Sequence, residues 1–418
     1  MKIFGRTQKS LLAVQIFKVA LEIFTNTFLT SYIVSLNQDN IFGSGLLNIG
    51  LLFISQYAVY ITLYFLISYF VKKSKRTNFL RLGVLINTCL IVIFVFFGKQ
   101  LSSWVMLAGA MIGCADAFYY SSYLVLKNEL NSRANMYNYN LFATILGNLT
   151  KVVIPVILGY VIDLFSYSYI AIYVVILGLV QFGLTFLVKT TNITNSKFEL
   201  KKYSLFLKED EKARGELKYT YWNAILAGGK NTYKIIVVVL TVMIFKTNFS
   251  LGILTSIFSL ITIGFLFLFK YVDKKSKINM FWVYFITGLL PLLTCIILLC
   301  FFNEVTLIIY NFVLTFALCM SDYLGSLERD SIIKNVGKRE YIAEHQFFVE
   351  LFQNIGRIVS YALFICVSLF ASMLAFEILF CFLISLSPIK FLVMHKQRKI
   401  RLQYDRLNAE KQETSDGK

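Results

Sequence analysis

The sequence predicts an all-α membrane protein with twelve transmembrane helices, arranged as two pseudo-symmetric six-helix bundles. Hydrophobic residues make up 57% of the 418 residues, charged residues make up 15%, and the chain contains 3 prolines. A soluble domain could not present so apolar a composition to water, so the chain is expected to lie in a membrane. The apolar residues also fall into separate runs, and some polar positions recur half a chain length apart.

Each apolar run is long enough to form a transmembrane helix. A hydrocarbon core of about 30 Å needs roughly 20 helical residues. The first six predicted spans cover 11–35, 43–71, 79–98, 102–126, 138–162 and 165–188. The second six cover 222–245, 249–271, 279–302, 305–325, 345–369 and 372–394. The predicted domains are therefore an N-terminal bundle (1–188), a cytoplasmic linker (189–221), a C-terminal bundle (222–394) and a cytoplasmic tail (395–418).

The distribution of basic residues predicts the orientation of these spans. Eight of the 41 Lys and Arg residues fall inside the spans, and of the other 33 only Lys99 and Lys246 lie in loops on one side. The positive-inside rule then predicts a multi-pass protein of the cell membrane with both termini in the cytoplasm. This topology accounts for the net charge of +18, so no nucleic-acid partner is expected. The lipid bilayer is the expected partner, and basic loops also suit anionic headgroups. A surface helix is expected around Tyr203–Leu217 in the linker.

Polar residues inside the apolar runs recur at a fixed offset. Asp116 in the fourth span reappears 206 residues later as Asp322 in the tenth. At the same offset the fifth and eleventh spans pair Thr144 with Glu350, Asn148 with Asn354, Lys151 with Arg357, and Pro155 with Tyr361. Steps of 4, 3 and 4 residues place each set on one face of a helix. The repeat indicates two related halves.

These charges are expected to pair or to line a wet cavity, because an isolated charge in the membrane is costly. Asp116 and Lys151 are expected about 15 and 20 Å from the same side of the membrane, so their depths would allow them to pair, as would those of Asp322 and Arg357. Two interpretations stay open: salt bridges that hold each bundle together, or groups on a substrate or proton route. The candidates for such a route are Asp116, Lys151, Asp322, Arg357, Glu350, Asn354, Asn148 and Glu22.

Lys18 and Glu22 in the first span also lie on one helical face, four residues apart. One interpretation is a pair that neutralises itself near the inner boundary, with the Lys18 side chain reaching toward the headgroups. The other is that Glu22 faces a central cavity, where an ionisable group would take part in transport. The sequence does not decide between the two.

Motifs of enzymes, metal sites and nucleotide-driven pumps do not occur in the sequence. Its two histidines are His345 and His395, and there is no HExxH, GxSxG or P-loop sequence. The seven cysteines fall inside the spans without zinc-site spacing. We therefore expect no enzymatic activity, no metal and no cofactor.

Two corresponding loops share a basic sequence. The loop after the second span carries Lys72, Lys73 and Lys75, and the loop after the eighth carries Asp273, Lys274 and Lys277. Together with the six-plus-six order of spans, these loops resemble those of the major facilitator superfamily, whose loop motif is roughly Asp-Arg-x-Gly-Arg-(Arg/Lys). The resemblance implies that the six residues gate the transport path. The first loop departs from the motif, with Val71 at the aspartate position.

Further details resemble the same family. Pro155 and Gly159 resemble a Pro-x-x-x-Gly pattern on the fifth helix of facilitator transporters from Gram-positive bacteria, and Gly356-Arg357 resembles a pair on their eleventh helix. Separately, Gly109 and Gly113 have the spacing that lets another helix approach closely, most simply within the same chain.

The resemblance implies a secondary active transporter that works by alternating access, as a monomer. A small-molecule or amphipathic substrate is expected, with proton-coupled efflux as the default. Uptake of a metabolite, flipping of a lipid-linked glycan, and a non-transporting sensor or scaffold are the alternatives. The substrate itself is not predicted by the sequence.

Overall fold

A succession of long helices forms the part of the chain that the computed structural model describes, namely residues 4–71, 76–131, 133–165, 167–189, 198–275, 280–336 and 341–416. The helices before the linker are α1 (Arg6–Leu36), α2 (Leu46–Val71), α3 (Arg76–Phe97), α4 (Leu101–Leu130), α5 (Arg133–Leu164) and α6 (Tyr167–Thr185). The linker and later helices are α7 (Leu200–Glu209), α8 (Glu211–Phe245), α9 (Asn248–Lys275), α10 (Met280–Cys300), α11 (Glu304–Val336), α12 (Ile342–Ser368) and α13 (Met373–Asp416). No strand occurs within these ranges.

The helices have the length and composition of membrane spans, which confirms the predicted all-α membrane class. Among the described residues, eleven helices are long and apolar enough to cross a membrane. The predicted span 165–188 corresponds to a shorter apolar helix, Tyr169–Thr185 within α6. The exact number of twelve spans therefore stays a prediction.

Hydrogen bonds between helix ends define two sides of the molecule. The start of α1, the linker helix α7 and the end of α13 lie on one side, here called the terminal side. The end of α1 at Leu36 and the start of α9 at Asn248 lie on the other, here called the far side.

Helix α1 is interrupted where it passes the polar residues of its middle. A π-helical turn covers Phe24–Phe28, between the α-helical stretches Arg6–Ile23 and Leu29–Leu36. Such turns insert one extra residue per turn and are frequent at functional sites. The interruption lies directly after Glu22 and contains Asn26 and Thr27, which face a cavity.

Glycines allow the helices to cross at close range, as the Gly109 and Gly113 spacing predicts. A Cβ atom on Gly109 would lie 2.1 Å from the carbonyl oxygen of Leu52, and one on Gly113 would lie 2.1 Å from that of Gln56. Helix α4 therefore rests on the backbone of α2, and this contact fixes the position of the next residue with a charge, Asp116.

Early and late helices of the chain pack against each other along two seams. In the first, between α2 and α12, the Tyr361 ring stacks on Phe53 and Tyr57, with ring centroids 4.6 and 5.8 Å apart. In the second, between α5 and α9, a Cβ atom on Gly159 would lie 2.4 Å from the carbonyl oxygen of Asn248. These seams bring residues from before and after the linker to one place.

The linker helix is shorter than predicted and is anchored by a buried tyrosine. Instead of one surface helix around 203–217, α7 ends at Glu209 and the following residues already belong to α8. The Tyr203 hydroxyl lies 2.8 Å from the Tyr221 hydroxyl and 2.9 Å from His345 Nδ1. Burial raises the pKa of Tyr203, so its phenol stays protonated at neutral pH.

Candidate functional site

A cavity of about 360 Å³, here called the central cavity, lies between the early and late helices. Its ionisable lining comes from both halves of the sequence. Glu22 and Asp116 precede the linker, whereas Lys234, Glu350 and Arg357 follow it. The other lining residues are mostly aromatic and polar, with three aliphatic ones: Asn26, Thr27, Phe53, Gln56, Tyr57, Tyr60, Tyr120, Gln353, Tyr361, Leu124, Ile235 and Val238. Four of the eight predicted route residues, Glu22, Asp116, Glu350 and Arg357, are therefore brought together.

One lysine holds two carboxylates at the wall of the central cavity. Lys18 Nζ lies 2.6 Å from Asp116 Oδ1 and 3.6 Å from Glu22 Oε1. Gln56 donates a hydrogen bond of 3.1 Å to the second oxygen of Asp116, and the Tyr120 hydroxyl donates one of 2.5 Å to Glu22. Both interpretations of Lys18 and Glu22 therefore hold in part, since the two residues pair and Glu22 also lines the cavity. The Lys18 side chain, however, is buried against Asp116 and does not reach toward the headgroups.

The expected pairing of Asp116 with Lys151 is wrong. Asp116 pairs with Lys18 of α1, while Lys151 is half-buried and makes no hydrogen bond or ion pair within the described part of the chain. Residues at equal depth meet only if their helices turn the right faces to each other. The rise along a helix gives the depth but not the face, and α1 presents its lysine to α4.

The same correction applies in the second half, where Asp322 pairs with Lys230 of α8 rather than with Arg357. Arg357 instead donates a 3.2 Å hydrogen bond to Asn354 Oδ1, and its guanidinium lies 4.8 Å from the centre of the Tyr57 ring. Each aspartate of the repeat thus pairs with a lysine on the first long helix of its own half of the sequence.

Glu350 joins the two seam helices by a hydrogen bond. Its carboxylate accepts a 3.0 Å hydrogen bond from the Tyr60 hydroxyl of α2 and a longer one of 3.4 Å from Gln346. Because Tyr60 lies before the linker and Glu350 after it, this contact must break if α2 and α12 separate.

The other four predicted route residues, Lys151, Asp322, Asn148 and Asn354, do not line the central cavity. Of these, Asn148 and Asn354 are buried. The Asn354 amide donates to the carbonyl oxygen of Glu350 in the preceding turn at 2.7 Å. Asn354 thereby contacts both Glu350 and Arg357 and can position them without facing the cavity.

A second cavity of about 250 Å³ adjoins the central one and is here called the lysine cavity. It shares Lys234 and Gln353 with the central cavity. Its other polar lining residues are Thr220, Asn223, Lys230, Ser321, Asp322 and Lys390. The lining extends along α8 toward the terminal side.

A polar network joins helix ends on the far side. The Asp163 carboxylate accepts hydrogen bonds from the backbone N–H groups of Asn248 and Phe249, at 3.2 and 2.8 Å. The Asn248 side-chain oxygen in turn accepts from Ser31 at 2.7 Å and from Tyr167 at 2.6 Å. The first N–H groups of a helix lack partners within it and attract negative charge. Asp163 thus ties the end of α5 to the start of α9.

The proposed gating loops fall largely outside the described residues. Lys72, Lys73, Lys75 and Lys277 lie in the undescribed ranges 72–75 and 276–279. Asp273 and Lys274 belong to the last turn of α9, where only the backbone is described. The gating role of all six residues stays a prediction. In the described ranges, no group of three or more His, Cys, Asp or Glu side chains is placed to hold a metal ion.

Several cavity residues were not among the sequence candidates. Lys230, Lys234 and Lys390 lie inside apolar spans, and the cost of a membrane charge is the signal that would have identified them. Gln56, Tyr60 and Tyr120 carry no comparable signal, because single amide and hydroxyl groups occur throughout the spans and usually bond a neighbouring helix.

A family model described as Major Facilitator Superfamily matches residues 19–361, which is well over half of the chain. The match begins beside Lys18 and ends at Tyr361, so it covers nearly all of the central cavity's lining helices. No curated protein matches the sequence.

Proposed function

The chain belongs to the major facilitator superfamily and is a multi-pass membrane transporter; from this premise we propose that it is a secondary active transporter working by alternating access. In this proposal the two halves of the sequence form two bundles that rock about the central cavity, exposing it first to one side of the membrane and then to the other. The proposed location is the cytoplasmic membrane, with both termini in the cytoplasm.

The observation that carries this proposal is that both halves of the sequence contribute ionisable residues to the central cavity. Glu22 and Asp116 come from the first half, and Lys234, Glu350 and Arg357 come from the second. Ionisable groups inside membrane spans are costly and usually mark substrate or ion pathways. A scaffold would gain little from them, because buried ion pairs stabilise weakly compared with apolar packing.

We assign proton coupling to the cluster of Lys18, Glu22 and Asp116. One lysine faces two carboxylates, so the cluster carries one negative charge in excess when both acids are ionised. A single proton would neutralise it. Glu22 is the better carrier, because its contact with Lys18 is longer and its side chain is 28% exposed, against 13% for Asp116.

Two hydrogen-bonded contacts between the halves of the sequence support the proposed movement. On the far side, Asp163 holds the start of α9, and beside the cavity Tyr60 holds Glu350. Both contacts are polar hydrogen bonds between residues from opposite sides of the linker, so each can break and reform. The gating loops at 72–75 and 273–277 would act on the terminal side, as the family resemblance implies.

Transport in proteoliposomes with an imposed pH gradient tests the proposal. Internal pH is followed while small anionic, cationic and neutral amphipathic compounds are added. Substrate-dependent proton movement is expected in the wild type and is expected to be lost in a folded Glu22→Gln variant. Glu211→Gln is the matched control, because Glu211 lies on the terminal side with a side chain that is 84% exposed.

The outcomes separate the alternatives. A substrate that moves in the direction opposite to the protons indicates antiport and therefore efflux. A substrate that moves in the same direction as the protons indicates symport and therefore uptake. A lipid-linked substrate that changes leaflet without release would identify a flippase. Proton movement that persists in Glu22→Gln would remove Glu22 from the route, and no flux with any compound would favour a sensor or scaffold.

A further inference from the structure

The two halves place different charges at corresponding positions of their first long helices. In α1, Lys18 contacts Asp116, and Glu22 follows one turn later. In α8, Lys230 contacts Asp322, and Lys234 follows one turn later. The first lysine therefore has two carboxylates beside it, whereas the second has one carboxylate and another lysine.

Because Lys234 stands at the position that corresponds to Glu22, the lysine cavity is positively charged. Lys230, Lys234 and Lys390 line it, with Asp322 as the one carboxylate among the described lining residues. Lys230 and Lys390 are buried, with exposed fractions of 6% and 7%. The formal charge of the lining is thus +2 when all four groups are ionised.

Within the lysine cavity Asp322 is the acid that offsets this excess, and outside it Glu22 of the central cavity attracts Lys234 electrostatically. Lys234 makes no hydrogen bond or ion pair among the described residues, and Lys390 Nζ has a neutral partner, Ser321 Oγ at 2.5 Å. Lys234, Lys390 and Lys151 are all close enough to Lys230 to repel it electrostatically. A cluster of ammonium groups in a membrane span is stable only with a counter-charge or water.

We propose that the transported substrate carries an anionic group, a carboxylate or a phosphate, and that this group binds in the lysine cavity to Lys230, Lys234 and Lys390. The inference rests on the proposed transport function and specifies its substrate class. Ammonium groups bind such oxygens through short charge-assisted hydrogen bonds. A cationic substrate would meet repulsion from the same three side chains.

The adjoining central cavity suits the rest of such a substrate. Lys234 lines both cavities, so a molecule held by Lys234 lies beside the larger space. The wall of that space includes the stacked rings of Phe53, Tyr57 and Tyr361. The substrate class is therefore an amphipathic anion, with its anionic end in the lysine cavity.

Thermal unfolding of the purified full-length protein tests this inference without requiring the natural substrate. The probes are inorganic phosphate, citrate and glycerol 3-phosphate, with tetraphenylphosphonium as the cationic probe, all at constant ionic strength. At least one anion is expected to raise the unfolding temperature of the wild type. Tetraphenylphosphonium is expected to have no such effect.

Lys234→Gln is the decisive variant, because Lys234 has no ion-pair partner among the described residues that its loss would leave uncompensated. A charged hydrogen bond contributes enough that its loss should weaken anion binding roughly tenfold or more. Lys390→Gln is expected to act in the same direction. Lys218→Gln, which removes an exposed lysine from the same helix, is expected to bind the anion like the wild type.

A lipid headgroup and a soluble molecule offer the same chemistry, and nanodiscs distinguish them. Stabilisation by phosphatidic acid over phosphatidylcholine, lost in Lys234→Gln, with no effect of the soluble anions, would identify a lipid-borne anion. The inference is overturned if tetraphenylphosphonium alone stabilises the protein, if neither the soluble anions nor phosphatidic acid does, or if Lys218→Gln loses as much affinity as Lys234→Gln. Flux of a cation without anion binding would leave the transport function standing. Anion binding without any flux would contradict the proposed transport function but would support the anion-binding site.

Discussion

At the scale of single residues, Lys18 is the centre of the charge arrangement in the first half. It is 4% exposed and neutralises carboxylates on its own helix and on α4. Removing the lysine would leave Glu22 and Asp116 facing each other without a cation. Removing Asp116 would leave Lys18 with Glu22 as a partner. The two losses are therefore unequal.

We predict that Lys18→Met destabilises the protein more than Asp116→Asn does. Loss of one partner from a buried ion pair costs about 3–5 kcal/mol, and we expect Lys18→Met to reach this range. Asp116→Asn is expected to cost less because Glu22 still pairs with Lys18. Thermal unfolding of the purified variants measures the order, with Lys201→Met as a control on the exposed face of α7. Equal or reversed effects would contradict the assigned roles.

The importance of single charges could be predicted from the sequence, but their partners could not. Glu22, Asp116, Glu350 and Arg357 were identified because each charge interrupts an apolar run, and all four line the central cavity. The expected partners of Asp116 and Asp322 were wrong, since helical rise gives depth and not the face that a neighbour presents. Lys230 and Lys234 also lie inside an apolar span, but they do not belong to the repeated polar positions that mark the site in the sequence.

At the scale of helices, close backbone contacts set where the charges lie. Helix α4 touches the backbone of α2 at Gly109 and Gly113, and Asp116 follows three residues later. The spacing of these glycines predicted such a contact, because only small residues allow it. The identity of the partner helix, α2, depends on the three-dimensional arrangement and was not available from one sequence.

We predict that Gly113→Ala destabilises the protein whereas Gly183→Ala does not. The new methyl group at position 113 would lie 2.1 Å from the Gln56 carbonyl oxygen, and a backbone atom cannot move aside as a flexible side chain can. Overpacking of this kind costs about 1–3 kcal/mol. Position 183 on α6 has nothing within 4 Å of such a methyl group. Thermal unfolding of both variants tests the difference, and similar unfolding temperatures would refute the close contact.

At the scale of the whole molecule, the far-side network ties helices from before and after the linker together. The Asp163 carboxylate accepts hydrogen bonds from two backbone N–H groups of α9. The Asn248 side chain accepts hydrogen bonds from Ser31 of α1 and Tyr167 of α6. These contacts involve few residues, and Asp163 is exposed to solvent. The membrane class and the helical architecture followed from composition and run length, but this network involves ordinary polar residues near helix ends and could not be predicted.

We predict that Asp163→Asn shifts the molecule toward a far-side-open state. An amide lacks the carboxylate's charge, so the charge-assisted bonds to α9 weaken, and a change of about 1.4 kcal/mol alters an equilibrium tenfold. The readout is the rate at which a membrane-impermeant maleimide, applied from the far side, labels Asn26→Cys in the central cavity. A several-fold faster rate is expected. Asp39→Asn, exposed on the same side, should leave the rate unchanged, and an equal increase there would point to a general charge effect.

The most direct test of alternating access is the labelling of the Asn26→Cys cavity position from each side of the membrane in the otherwise unaltered chain. Intact cells and inverted vesicles present the two faces separately, and the chain without the new cysteine gives the background from its seven native ones. Alternating access predicts labelling from both faces, with an added anionic substrate changing the two rates in opposite directions. Labelling from one face only, whether or not substrate is present, would contradict alternating access at this cavity.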